Sequence, residues 1–338
     1  MRRIVALVLI FALLCGCVPA DEPLPSTSFF AMNTPMSVQI DGDETLLRGV
    51  EDLAYALERK LSVTDEKSDI FAINSNGGGE VSSETAELIE FALDMCESTD
   101  GALDITIYPV LRAWGFTVDD VDYDNGFVLP TDGELSELLA LVDYEKVEVS
   151  DDSVTLGEGM MLDLGAVAKG YASDRIAGYL RQNGVKSALL NLGGNVYALG
   201  KKPNGVKWTV GVKSPESGMI GTLQVEDAAV VTSGGYERFF TGSDGVRYHH
   251  IIDPSTGRPA DSGLASVTVV GDSGARCDAL STALFVMGLD RGSEYWREHR
   301  DFEAVFVTSD GELLVTAGLE DNFVTQGDYG GTLPSVIR

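Results

Sequence analysis

Basic residues are scarce in this chain: 24 Lys and Arg stand against 53 Asp and Glu, for a formal net charge of −29. A surface of that sign repels nucleic acid and anionic lipid headgroups, so no nucleic-acid partner is expected. Its plainest meaning is a solvated acidic exterior. An anionic substrate can be held only where local cations or a metal reverse the field. Cysteine is nearly as rare. Of four, Cys15 and Cys17 lie near the start, and Cys96 and Cys277 alone are too few for a disulfide scaffold, so separate buried thiols are expected. The first apolar run, Ile4 to Leu14, is far short of the roughly 20 residues a bilayer-spanning helix needs. The glycine pair in Asn191-Leu192-Gly193-Gly194-Asn195 lacks the full GxGxxG spacing, so no dinucleotide fold is read from it. Internal repeats and low-complexity tracts are missing too.

Arg2 and Arg3, the short apolar run and then Leu14-Cys15-Gly16-Cys17 have the layout of a secretory signal peptide. A cysteine after a small residue is the lipoprotein version, with Cys17 as the lipid-carrying first residue of the mature chain. The expectation is a signal peptide over 1–17, a tether over 18–28 carrying three prolines and two acids, and an extracytoplasmic protein anchored by lipid to a bacterial membrane.

The remainder can bury one large core or two fused lobes. Leu46, Leu47, Val50, Leu53, Ala54, Leu57 and Leu61 recur at helical spacing, as do Leu88, Ile89, Ala92, Leu93 and Cys96. Thr131-Asp132-Gly133-Glu134 forms a capping box ahead of a third helix. A fourth is predicted over Val167–Gln182, stopped by Asn183-Gly184 and feeding a strand at Ser187–Leu192. Further strands are predicted at 208–212, 267–270, 304–307 and 313–315, and a helix over Cys277–Met287 between Gly274 and Gly288. Short Gly/Asp turns favour antiparallel hairpins, so the fold class is α+β, with mixed or antiparallel sheets and flanking helices.

Four segments can carry chemistry. In Asp163-Leu164-Gly165-Ala166-Val167-Ala168-Lys169-Gly170 an acid and a lysine flank a helix start, where free amides bind phosphate; a capping Asp163 and a solvated Lys169 explain the spacing equally well. Gly193-Gly194 directly follows a strand, and in isolation a plain turn is its simpler meaning. Tyr248-His249-His250-Ile251-Ile252-Asp253 holds two of the three histidines, which point to opposite faces of an extended segment, so at most one serves a common site. Asp278 and Thr282 lie one helical turn apart, so a carboxylate and a hydroxyl can face one hard cation; helix capping by the acid and back-bonding by the hydroxyl account for the same spacing.

Together these segments resemble the ApbE family, the FAD:protein FMN transferases, in order along nearly the whole mature chain. Phe30 to Met36 is similar to the family's opening MGTxM-type strand, Ser68-Asp69-Ile70 through Asn74 to its SxI…N segment, and Gly101 to Thr106 with Trp114-Gly115-Phe116 to its GxFD(I/P)T…WGF segment. The DLGAVAKGYASD, NLGGN, TSGGY (Thr232–Tyr236), HIIDPSTG and CDALSTALFVMG stretches follow in register. The resemblance implies one domain over 29–338, with Mg2+ held by Asp278, Thr282 and the carbonyl of Ala166. It also implies FAD as substrate, touching Met32, Ala102, Leu103, Asp104, Asp163, Lys169 and Ile251. Three positions depart from the pattern: Thr64 stands where an aromatic is usual, Asn33 replaces glycine, and Cys277 replaces alanine.

The implied reaction is attack by a Thr or Ser hydroxyl of an acceptor on the FMN-side phosphorus of FAD, releasing AMP. His250 is the first candidate base and Asp163 the second. The implied acceptor is an extracytoplasmic flavoprotein of an electron-transfer chain. An FAD pyrophosphatase releasing FMN and AMP, and a non-catalytic flavin-binding lipoprotein, are the alternatives.

Overall fold

A computed structural model describes residues 23–117, 128–242 and 244–338. The proposed signal peptide and Cys17 lie outside the described residues. The frame is a nine-stranded sheet whose spatial order follows the chain: β1 (Ser26–Ala31), β2 (Thr34–Ile40), β3 (Ala188–Leu192), β4 (Asn195–Leu199), β5 (Ala228–Gly234), β6 (Leu264–Gly271), β7 (Glu303–Thr308), β8 (Leu313–Thr316) and β9 (Ser335–Ile337). Every neighbouring pair is antiparallel except β8 with β9. The fold is therefore α+β, as the hairpin turns predict.

Both faces of this sheet are covered, which explains strands that read as apolar runs. Along β7, Ala304 and Phe306 enter the core beneath the helices, while Val305 and Val307 enter a second core. The helical side carries α1 (Leu46–Leu61), α2 (Asp69–Asn76), α3 (Ser83–Ser98), α6 (Ala168–Gln182) and α7 (Gly274–His299). The opposite side is closed by a small sheet of Trp208–Lys213, Met219–Val225 and Val324–Thr325. A third cluster joins α4 (Tyr108–Ala113) and α5 (Asp132–Leu139) to Phe240 and Ile252, pinned where the Trp114 indole donates to the Gly257 carbonyl at 2.7 Å. The capping box at Thr131 and Glu134 forms as predicted.

Three expectations shift. β1 begins at Ser26, so Ser26–Ser28, assigned to the tether, are strand: they pair with Ser37–Gln39. Phe30 to Met36 is not one strand but the end of β1, a turn and the start of β2; Met32 and Asn33 both take positive φ, 50° and 57°. A methionine there is strained, and its amide is held by donation to Glu58 Oε1 at 2.7 Å. Finally, the helix begun at Gly274 does break at Gly288 (φ 77°, ψ −179°), but a second helical segment runs on to His299, buried through Tyr295 and Trp296.

α6 and α7 cross at two glycines. A Cβ on Gly170 would lie 2.1 Å from the Gly274 carbonyl oxygen, and one on Gly274 would meet Ser173 Oγ at the same distance. Asp174 of α6 then locks the start of α7, accepting from Gly274 N (2.7 Å), Ala275 N (3.0 Å) and Ser273 Oγ (2.9 Å). Gly170→Ala is expected to cost about 1–3 kcal/mol through overpacking against backbone, read as a lower Tm in a thermal melt, together with displacement of the site described next.

Candidate active site

The loop into α6 is held from two sides. Asn74 clamps Leu162, donating to its carbonyl at 2.8 Å and accepting its amide at 2.7 Å, and Asp163 N donates to Ile105 O at 2.8 Å. Two segments distant in sequence thus fix the position of Asp163. Its Oδ1 accepts Gly165 N at 2.7 Å. Burial pushes the Asp163 carboxyl above its ordinary range, opposed by the Gly165 amide and by the charges of Arg238 and Lys169. Lys169 donates to Gly165 O at 3.3 Å and leans over the same corner.

The amides of the first helical turn are largely committed. Val167 N and Ala168 N donate to Leu164 O, at 3.0 and 2.9 Å, and Gly170 N donates to Asp278 Oδ2 at 2.9 Å. Few amides at this helix start are therefore free for a phosphate, and the positive charge nearby is that of Lys169 and Arg238.

Asp278 is 4% exposed. Burial raises its pKa, against the charge of Lys169, the Gly170 amide and the nearby Asn195 side chain. One turn on, Thr282 sits in a chain of hydroxyls whose proton order can be worked out. Ser281 Oγ donates to Asp278 O at 2.9 Å, so Ser233 Oγ must donate to Ser281 Oγ at 2.7 Å. Thr282 Oγ1, 3.4 Å from Ser233 Oγ, is then left to donate toward Ser233 and keeps its lone pairs for a ligand. A carboxylate and a hydroxyl one helical turn apart, near the point where α6 and α7 meet, are hard oxygen donors of the kind Mg2+ takes alongside waters and phosphate oxygens. A buried carboxylate with raised pKa and two unpartnered amide atoms on Asn195 beside it fit the same ion. No group of three or more His, Cys, Asp or Glu that could hold a metal ion occurs among the described residues, so an ion here would rest on a single carboxylate with other oxygens.

The two histidines divide as their alternation requires. His249 is fully used: Nε2 meets Ala260 O at 3.1 Å, Nδ1 accepts Ile251 N at 3.3 Å, and the ring stands edge-on to Phe285. His250 faces the cationic corner instead. Its Nδ1 lies 3.1 Å from Arg238 O, and since a carbonyl only accepts, Nδ1 carries the proton and Nε2 the lone pair. Burial, reinforced by Arg238 and Lys169, depresses its pKa to about 3, so the ring is neutral at physiological pH. Arg238 is anchored by donation to Phe116 O at 2.6 Å.

Asp163, Lys169, Asp278 and His250 thus form one electrostatic group, with Lys169 common to all. Ile251 lies buried beside it. Asp104 is placed differently: its oxygens accept Thr106 N (2.8 Å), Thr106 Oγ1 (2.6 Å) and Tyr144 N (3.3 Å), so the carboxylate shapes its own loop. Ala102 and Leu103 are buried with it, and Met32 sits at the β1–β2 turn. Next to Asp163 opens a cleft of about 390 Å³ whose walls include Thr64, Asn74, Tyr108, Arg112 and Met161. The Tyr108 hydroxyl is raised by burial and, to a lesser degree, by Asp163. Cys96 and Cys277 are separate buried thiols, as expected.

Ser233, Arg238 and Asn195 were not singled out from the sequence. Ser233 and Asn195 stand inside the TSGGY and NLGGN stretches, which is the only signal they gave; Arg238 follows a turn and has no periodic context.

A fold of this kind is shared by known proteins. The ApbE family model matches residues 32–306. An FAD:protein FMN transferase from Klebsiella pneumoniae is 36% identical over 310 residues, covering 88% of this chain and 93% of its own. Another from Treponema pallidum is 35% identical over 297 residues, covering 81% and 80%. The crystal structure of the ApbE protein from Thermotoga maritima superposes with a TM-score of 0.81 at 34% identity, over 88% of this chain and 98% of that one. The flavin transferase ApbE from Vibrio cholerae gives 0.78 at 27% identity, over 89% and 100%. The chain belongs to the ApbE family.

Proposed function

We propose that this protein is an FAD:protein FMN transferase that joins the FMN half of FAD to a Thr or Ser hydroxyl of an acceptor flavoprotein and releases AMP. The observation that carries this reading is the electrostatic group that Lys169 makes with Asp163, Asp278 and a tautomer-fixed, neutral His250 beside Arg238, in a chain whose net charge is −29. Matching activities named for relatives over most of their length support it.

The bond formed joins the acceptor oxygen to the FMN-side phosphorus; the bond broken joins that phosphorus to the oxygen that leaves with AMP. The hydroxyl proton passes to His250 Nε2, whose lone pair is uncommitted. Lys169 and Arg238 balance the pyrophosphate charge. Asp278, Thr282 and the Ala166 carbonyl would hold Mg2+, which neutralises phosphoryl oxygens in reactions of this class. Such transfers gain chiefly from positioning and charge neutralisation, and this site provides both.

Hydrolysis competes wherever water takes the hydroxyl's place. Thr64 on the cleft wall supplies no ring to stack on a flavin or adenine, but Phe71 and Tyr108 on the same wall do. Chromatography of FMN and AMP with and without an acceptor flavoprotein separates the two: transfer predicts AMP without matching free FMN once acceptor is present, whereas equal free FMN and AMP in both samples contradicts it.

The site's placement outside the cytoplasm, on a lipid anchor at Cys17, is part of the same proposal. Among the described residues no helix is long and apolar enough to cross a membrane. Cys17→Ser is expected to move the protein from the membrane to the soluble fraction, judged by immunoblot of separated fractions, with in vitro activity unchanged.

A further inference from the structure

Asn195 opens β4 directly after the Gly193-Gly194 turn and is 1% exposed, yet neither Nδ2 nor Oδ1 has a hydrogen-bond partner. A buried amide with both ends unpaired is costly to the fold, and an apolar side chain at the same place would avoid that cost. The position is also specific. Asn195 and Tyr197 alternate onto one face of β4, and Tyr197 packs in the core under the helices, so Asn195 faces α6 and α7. There it lies by the Asp278 carboxyl, whose charged form it favours, while neither amide atom is settled in a regular hydrogen bond.

We propose that Asn195 is a positioning residue of the cation site: its Nδ2 donates to the Asp278 carboxylate and its Oδ1 accepts from a water carried by the bound ion. This rests on the functional reading of Asp278 given above. It accounts for both orphaned atoms at once, because the carboxylate can accept a second donor beside the Gly170 amide and a hydrated divalent cation brings donors of its own. Of the two amide orientations, the one that turns Nδ2 to the carboxylate and Oδ1 to the ion's water satisfies both groups. Partners of this kind, one step removed from the ion, hold its ligands in register, and losing one weakens metal affinity by about 10–100-fold.

The test is Mn2+ binding to the metal-free protein, followed by electron paramagnetic resonance of the free ion, with Asp278→Ala as reference. Asn195→Leu keeps the branched side-chain shape and removes both polar ends. It is expected to retain its circular dichroism while the Mn2+ dissociation constant rises about 10–100-fold. The Mg2+ concentration giving half-maximal AMP release should rise in step, with kcat at saturating Mg2+ close to the parent's. If Asn195→Leu does not fold, the smaller Asn195→Ser carries the same expectation of weakened binding. Unchanged Mn2+ affinity in folded Asn195→Leu, with binding lost in Asp278→Ala, overturns the role of Asn195 and leaves the site intact. Unchanged affinity in both overturns the cation site itself and this inference with it.

Discussion

Asp278→Asn should lower FAD cleavage by about 10³-fold or more at any Mg2+ concentration, while leaving the metal-free protein as stable as the parent or slightly more so. Both halves follow from one fact. Asp278 is buried, and burial raises its pKa, so at neutral pH its ionised form is a cost to the empty fold. An amide of the same shape removes that cost but cannot supply the negative charge a divalent cation needs. The measurements are a thermal melt without metal and the rate of AMP release across a Mg2+ titration. Loss of activity with loss of folding would contradict the assignment of Asp278 as a ligand, since that pattern belongs to a residue serving the fold alone.

His250→Gln should lower transfer by about 10²–10⁴-fold, the usual contribution of a positioned base, with FAD binding retained. The pH profile gives a second check, and its sign can be worked out from the charges around the ring. Burial, Arg238 and Lys169 hold the pKa of free His250 at about 3, so its base form is complete above that value and lost only as pH falls through it. No acid limb in kcat/KM between about pH 5 and 8 should then come from His250. Asp163 behaves oppositely: burial raises its pKa, so its carboxylate form is lost as pH falls through a value above the ordinary one. An acid limb that persists in His250→Gln and vanishes in Asp163→Asn would identify Asp163 as the group behind it.

How far this site can be read from sequence differs residue by residue. Asp278 and Thr282 are legible because helical spacing places i and i+4 on one face, and Gly274 and Gly288 bracket that helix as predicted. Lys169 and Asp163 are legible as a pair flanking a helix start. The pairing of Gly170 N with Asp278 is not, because it depends on two glycines letting α6 and α7 touch across more than a hundred residues of sequence. That contact also takes the Gly170 amide, while those of Val167 and Ala168 are spent on Leu164 O. Arg238 escapes for the same reason: its role arises from a backbone carbonyl that meets His250 and a guanidinium that reaches Phe116. The alternation of His249 and His250 needs only strand geometry, but which of the two is spent on structure depends on Ala260 and Phe285 folding back around it. Most strands of the large sheet are legible from β-branched runs and turns. The break of Phe30–Met36 into a hairpin is not, since it rests on Met32 and Asn33 adopting a backbone conformation neither residue type favours strongly.

The central claim is tested most directly by intact-mass spectrometry of an FMN-domain acceptor after incubation with the soluble enzyme, FAD and Mg2+, beside an EDTA control. The account predicts that the acceptor gains one FMN phosphoester on a Thr or Ser, that AMP appears in equal amount, and that both are lost with EDTA. An unmodified acceptor beside FAD fully converted to free FMN and AMP, or FAD surviving intact, would contradict it.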